Sequence, residues 1–407
     1  MKILVLNCGS SSIKFQLIQT DLDLIDRNQD RPLAQGLVEK IGTQEAAVFC
    51  QAGARTTRDV GVALADHHAA LVRVMELLKN TGALADPKDI EAVGHRVVHG
   101  GDFRDSQVVT QEVLRKIEDA VELAPLHNPH NLKGYHVAAE LLPDRPHVAV
   151  FDTAFHQGMP PRAFLYALPY DLYRRHRIRR YGFHGTSHRY VSYRFRQLTG
   201  RSKEESNLIT CHLGNGCSIT AIQFGRSVDT SMGFTPLEGL VMGTRPGDLD
   251  PSIPLHLMAK QEMSVQEVTT LLNRHSGLYG ISGETNDMRT LLEGAAKGHE
   301  RARIAVEVFC YRVRKYIGAY TAVLGQVHGL VFTGGIGENA PRVRELACEN
   351  LGPLGYELDR EKNQKAVGVE IEISAPGSRA RIFAIPTNEE LLIARDTFRR
   401  VTGVEHA

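Results

Sequence analysis

One short stretch of this chain occurs twice. Ile3-Leu4-Val5-Leu6-Asn7-Cys8-Gly9-Ser10-Ser11-Ser12-Ile13 and Leu208-Ile209-Thr210-Cys211-His212-Leu213-Gly214-Asn215-Gly216-Cys217-Ser218-Ile219 each read as strand, Gly/Ser/Asn turn, strand. Ser12-Ile13 lines up with Ser218-Ile219 at an offset of 206 positions in a chain of 407. Two halves opening on the same hairpin imply a duplicated domain with a cleft between the copies. Strand-length apolar runs at 148–151, 208–213, 330–333 and 382–385 each meet a Gly, Asp or Pro-rich turn. Helical spacing joins Leu64, His67, Leu71, Val74 and Leu78, and runs through residues 304–324. The alternation of the two patterns reads as α/β.

Composition narrows the functions open to such a fold. Lys+Arg number 48 against 47 Asp+Glu, a net charge of +1. That balance argues against nucleic acid as the main partner, which would require a basic surplus. No apolar run approaches the ~20 residues of a membrane span. The apolar stretch before Asn7 is shorter than the ~7 to 15 residues of a signal-peptide core. The six cysteines form no CxxC pair, so reduced thiols in a cytoplasmic protein are expected.

Several clusters carry chemistry. Asn7 to Ser12, with Lys14 beyond, offers small residues, hydroxyls and a cation to a phosphate, and equally suits an ordinary Gly/Ser turn. It is no Walker A loop, because a strand follows it. His212 to Ser218 has the same character, although Asn215-Gly216 is also a type I′ hairpin signal. Thr333-Gly334-Gly335-Ile336-Gly337-Glu338-Asn339 follows an apolar run and suits a nucleotide's sugar and base. In Gly94-His95-Arg96-Val97-Val98, Arg96 suits a carboxylate and Val98 a short acyl tail; a surface salt bridge is the other reading. Asp152, at the end of an apolar run, fits either a ligand crevice or a helix N-cap. His184 and His188 are spaced i, i+4, but Gly182 and Gly185 argue against helix at His184 and against zinc. Arg245 sits in a Gly/Pro-bracketed loop with Asp248 and Asp250.

Taken together, these stretches resemble the acetate kinases. Leu6 to Lys14 and Gly182-Phe183-His184-Gly185-Thr186-Ser187-His188 are similar to the two signature stretches of that family. Gly94-His95-Arg96, Pro125-Leu126-His127-Asn128-Pro129, Phe151 to His156, His212 to Gly216, Gly243-Thr244-Arg245, Gly335 to Asn339 and Pro386-Thr387-Asn388-Glu389-Glu390 follow in the family's order. The resemblance implies a two-domain, duplicated actin-like ATPase fold with ATP in the interdomain cleft. One domain would comprise residues 1–152 plus 388–407. The other, residues 153–387, would bind nucleotide and form a homodimer.

The implied reaction is magnesium-dependent and reversible: acetate plus ATP gives acetyl phosphate plus ADP, with manganese able to replace magnesium. Carried over by resemblance, Asn7 and Glu389 organise the metal, and Lys14 contacts ATP phosphate. His212, Leu213, Gly214, Asn215, Gly216, Asp287, Met288, Arg289, Gly335, Ile336, Gly337, Glu338 and Asn339 bind the nucleotide. Arg96 binds the carboxylate, and Val98, Leu126, Phe183 and Pro236 line a methyl pocket. Asp152, His184 and Arg245 are catalytic. A carboxylate substrate is already ionised at neutral pH, so Asp152 is expected to orient Arg96 or a metal-bound water and not to act as a base. Pro246, His130 and Cys217 depart from the family pattern, and none removes a catalytic position. The alternatives are a propionate kinase of the same fold and, from another class, a nucleotide-gated chaperone-like clamp.

Overall fold

A computed structural model describes residues 1–125 and 127–404. The chain divides into two compact units, Met1–Phe155 with Asn388–Ala407, and His156–Thr387.

The first unit contains β1 (Lys2–Cys8), β2 (Ser12–Gln19), β3 (Arg31–Glu39), β4 (Ala47–Ala52), β5 (Arg55–Val60), β6 (Ala92–Val97), β7 (Gln107–Val108) and β8 (His147–Phe151). They form one sheet in the order β5-β4-β3-β2-β1-β6-β8-β7. β1 runs antiparallel to β2 and parallel to β6, and β6 is parallel to β8. Successive residues of β1 bury into opposite faces, as the two-residue period of a strand dictates. Leu4 and Leu6 join Leu71, Val74, Leu78, Val137 and Ala138 of the helices His67–Asn80 and Asn128–Leu141. Ile3 and Val5 join Ile393, Ala394 and Phe398 of the helix Glu389–Thr402. Asp66 caps the first of these helices by accepting from the Ala69 amide, so Leu64, apolar and in helical phase, lies before the helix.

The second unit contains β9 (Asn207–Leu213), β10 (Cys217–Gln223), β11 (Arg226–Thr230), β12 (Gly329–Thr333), β13 (Ile371–Glu372) and β14 (Arg381–Ala384), in the order β11-β10-β9-β12-β14-β13. Strand for strand and direction for direction, this matches β3-β2-β1-β6-β8-β7. The repeat seen in two hairpins is therefore a six-strand module. The helix Glu300–Leu324 buries Ala305, Phe309, Val313 and Ile317 in this unit.

Two details of the hairpin repeat need correction. In the first, Cys8 faces Ile13 across residues 9–12; in the second, Leu213 faces Cys217 across residues 214–216. The turns differ by one residue, so no single offset relates both strands of the pair. The Asn215-Gly216 turn is also not type I′. That turn needs two left-handed residues, and neither has a positive φ. Among the described residues, no helix is long and apolar enough to cross a membrane.

Candidate active site

In the first unit, parallel pairing of β6 with β8 sets Val97 beside Phe151, which brings Arg96 to Asp152. Arg96 donates from Nη2 to Asp152 Oδ2 at 2.7 Å and from Nε at 3.1 Å, a two-pronged contact that fixes the guanidinium plane. Arg96 Nε also lies 3.5 Å from Glu389 Oε2, at the start of the helix Glu389–Thr402. Next along that helix, Glu390 pairs with Lys14 at 2.6 Å. Asn7 faces Lys14 across the β1–β2 ladder. Lys14, expected on ATP phosphate, thus has a carboxylate partner here.

Charge in this cluster is finely divided. Burial works against the Arg96 cation, but Asp152 and Glu389 outweigh it and hold its pKa above the ordinary range. Burial pushes the Glu389 carboxyl up to about 7; Asp152 and Glu390 add to the rise, and Arg96 and Lys14 oppose it. Such a carboxylate would welcome a divalent cation. Among the described residues no group of three or more His, Cys, Asp or Glu could hold a metal. Magnesium does not require one, since it keeps several waters and takes one or two carboxylates plus phosphate oxygens. Glu389 supplies such a carboxylate.

Two asparagines support the cluster. Asn131 accepts from the Val98 amide at 3.0 Å and donates to the Cys8 carbonyl at 2.9 Å. Asn128 accepts from the His99 amide at 3.0 Å. Asn131 thus ties Cys8, at the edge of the first Gly/Ser turn, to Val98, and Asn128 holds the next residue, His99. Leu126, expected in the methyl pocket, lies outside the described residues.

In the second unit, His184 precedes the helix Gly185–Thr199 with φ 59°, in the left-handed region that non-glycine residues rarely occupy. His184 stacks on His212 with ring centres 4.2 Å apart. Both His184 and His188 reach Ser218 Oγ, at 2.8 and 2.7 Å. Arg245 is largely buried and donates from Nη1 to the Pro236 carbonyl at 2.5 Å. Burial lowers its pKa, and among the described residues no carboxylate pairs with it. Asp248 instead accepts from Tyr316 and the Gly239 amide, and Asp250 from the Ser252 amide. The loop therefore does not use its own carboxylates to brace Arg245.

Gly216 explains the second turn. A Cβ there would stand 2.8 Å from Arg245 Nη2 and 3.2 Å from His184 Nε2. The missing side chain is what lets both side chains' nitrogen atoms converge on one space. Asn215 accepts from Asn286 Nδ2 at 2.9 Å, and its carbonyl accepts from the Gly243 amide at 3.0 Å. One turn thus joins the segments carrying Arg245 and Asp287.

Asp287 caps the helix Met288–Ala296 and pairs with the exposed Arg289, which holds its carboxyl down to about 2. The backbone of Gly335 lies beside Gly214, so the third Gly-rich segment meets the second turn; Leu213 packs buried against Gly334. The segment is the short helix Gly334–Asn339, which includes Ile336. Glu338 accepts from the Gly334 and Thr387 amides, both at 2.9 Å, and Asn339 donates to the Gly335 carbonyl. Arg344, with no exposed surface, donates to the Gly337 carbonyl at 2.7 Å and to both Asn363 oxygens and Ala366. These side chains shape the loop from within. Phe183 is buried and Pro236 half-buried in this unit; Val98 belongs to the other.

Sequence reasoning missed Asn131 and Arg344, and gave no role to Asn286 or to the Ser218 hydroxyl. Their partners lie far away in the chain, which a single sequence does not reveal.

Comparison with known proteins gives a consistent result. The model of the acetokinase family matches residues 2–395. The acetate kinase of Symbiobacterium thermophilum is 54% identical over 400 residues, covering 98% of each chain. The crystal structure of Porphyromonas gingivalis acetate kinase aligns at TM-score 0.91 and 42% identity, covering 98% of this chain and 99% of that one. A propionate kinase structure from Francisella tularensis aligns at TM-score 0.90 and 44% identity, covering 97% and 98%.

Proposed function

The chain belongs to the acetokinase family, and from that premise we propose how its residues carry the reaction. It is a phosphotransferase with a carboxyl acceptor, moving a phosphoryl group between ATP and acetate on a duplicated actin-like ATPase fold. The observation that carries the assignment of roles is the convergence of Arg245 Nη2 and His184 Nε2 on the space left by Gly216.

In-line transfer spreads negative charge over three equatorial oxygens, so preorganised donors do most of the work. Arg245, held by the Pro236 carbonyl and lacking a carboxylate partner among the described residues, meets that charge. His184 is the second donor. The turn His212–Gly216, Asp287–Arg289 and the segment Gly335–Asn339 bind the nucleotide, with Lys14 released from Glu390 toward its phosphates. Arg96 binds the acetate carboxylate, and Asp152 holds its guanidinium plane; no general base is needed, because acetate arrives ionised. Glu389 and Asn7 would hold magnesium, which would supply neutralisation of phosphate charge there; manganese would serve similarly. The working protein is a cytoplasmic homodimer built through the second unit.

The test is acyl hydroxamate formation from ATP, hydroxylamine and acetate or propionate. One methylene in a short apolar pocket shifts binding by about 1 to 3 kcal/mol, so propionate should react more slowly than acetate. Val98→Ala should raise the propionate-to-acetate ratio of kcat/KM. A sharper preference for acetate would show that Val98 does not line the acyl site.

A further inference from the structure

We propose that a chain of hydroxyl and imidazole groups, Thr210–His188–Ser218–His184, fixes His184 in the tautomer that carries its proton on Nε2, the atom facing the reacting space. The proposal rests on the reading of His184 given above. Thr210 Oγ1 lies 2.7 Å from His188 Nδ1, His188 Nε2 lies 2.7 Å from Ser218 Oγ, and Ser218 Oγ lies 2.8 Å from His184 Nδ1. Thr210 and Ser218 come from β9 and β10, and His188 from one turn into the helix Gly185–Thr199. Thr210, His188 and Ser218 are all fully buried.

Hydrogens are assigned by counting donors against acceptors. The Thr210 hydroxyl has one hydrogen-bond partner among the described residues, His188 Nδ1. A buried hydroxyl places its hydrogen on an available acceptor, so Thr210 donates to Nδ1. His188 must then carry its proton on Nε2. Burial, with His156 and His212 nearby, keeps the ring neutral. His188 Nε2 accordingly donates to Ser218 Oγ. The hydrogen of Ser218 has His184 Nδ1 as its remaining partner. With Nδ1 accepting, neutral His184 is protonated at Nε2.

That atom shares with Arg245 Nη2 the space beside Gly216. Two N–H donors there suit a phosphoryl group gathering negative charge. The other tautomer would aim a lone pair at an oxygen. Thr210, His188 and Ser218 are positioning residues in this scheme: they touch no substrate and act through His184.

Long-range proton–nitrogen correlation on enzyme labelled with ¹⁵N-histidine reads the tautomer directly, with His184→Gln assigning the peaks. The expected result is a protonated-type Nε2 and an unprotonated-type Nδ1 for His184. The reverse assignment overturns the proposal whatever the activity. Thr210→Val, which keeps shape and removes the hydroxyl, should mix the His184 tautomers and lower kcat about 10- to 100-fold, the range for losing an outer-shell partner. The KM values for ATP and acetate should stay within about twofold, and Thr210→Ser should retain both tautomer and rate. Ser218→Ala should lower kcat at least as far as Thr210→Val. Unchanged kcat and unchanged tautomer in Thr210→Val overturn the proposal, even if Ser218→Ala does not fold. A kcat unaffected by His184→Gln, alongside the expected tautomer, would instead remove His184 from catalysis and leave the hydroxyl chain standing.

Discussion

Arg245 combines two properties seldom found together: it is largely buried, and among the described residues its partner is a carbonyl rather than a carboxylate. A guanidinium left electrostatically unneutralised is poised for an anion that arrives and gains charge. Arginines in that role contribute ~10³ to 10⁵ in rate. Arg245→Ala should lower kcat by several orders of magnitude and move the KM for ATP little, which steady-state kinetics reads. Arg245→Lys should not recover the loss, because a point charge cannot bridge two oxygens as the planar fork does. A kcat within about tenfold of the parent would remove Arg245 from the transition state. Glu389 shows the opposite tension. Its carboxyl is raised from an ordinary 4.5 to about 7. Between those values the folded chain holds a proton the unfolded chain has lost, so stability falls as pH rises through that window. Glu389→Gln removes this slope. Without nucleotide or metal, the variant should melt a few degrees above the parent at pH 8 and level with it near pH 5. Equal melting curves at pH 8 would show that the carboxylate sits comfortably in its site.

At the scale of elements, the site is made of turns at strand ends, and these turns are what a sequence displays best. Apolar runs meeting Gly, Ser or Asn mark the ends of β1, β9 and β12, because buried strands must be apolar and tight turns need small residues. What a turn's glycine is for does not show. Gly216 looks like half of a hairpin signal, yet it is glycine because Arg245 and His184 occupy the place of its side chain. The partners of Asn131 and Ser218 do not show either, since they depend on which strands and helices become neighbours. Periodicity does not locate the start of the helix His67–Asn80: Leu64 keeps the helical phase, and the Asp66 cap decides where the helix begins. Gly216→Ala separates fold from site. The new methyl meets the end of the Arg245 side chain and needs a shift of only a few tenths of an ångström from the His184 ring, so the melting temperature should stay within a few degrees. The shift withdraws both donors, so kcat should fall at least tenfold. An intact kcat would mean that these donors can yield without loss.

Across the whole molecule, the six-strand module is used twice, and only the first copy carries β4 and β5 at its edge. The module's order follows from chain alternation, but the match between copies could not be read past the hairpins because the intervening connections share no pattern. The first unit is also discontinuous in the chain. The helix Glu389–Thr402 seals the face of Ile3 and Val5, and its Arg395, almost fully buried, pairs with Asp30 at 2.5 Å and with Asn28. Removing one member of a buried pair strands the other, at a cost of about 3 to 5 kcal/mol. Arg395→Met should lose that much in denaturant unfolding. A loss under about 1 kcal/mol would show that Asp30 finds water or another donor.

This pairing also sets an order of events during synthesis. Asp30 leaves the ribosome 365 residues before Arg395. At about 5 to 20 residues per second, the first sheet, complete at Phe151, waits roughly 12 to 50 s for the helix that covers one of its faces. During that interval Ile3, Val5, Ile18, Val148 and Val150 have no lid, and the buried carboxylate has no cation. The second module lies in one uninterrupted stretch, His156–Thr387, and is subject to no such delay. In the growing chain, the sheet that is made first is therefore the one that finishes last, and a nascent chain halted before residue 388 would present a hydrophobic surface to any chaperone or protease within reach.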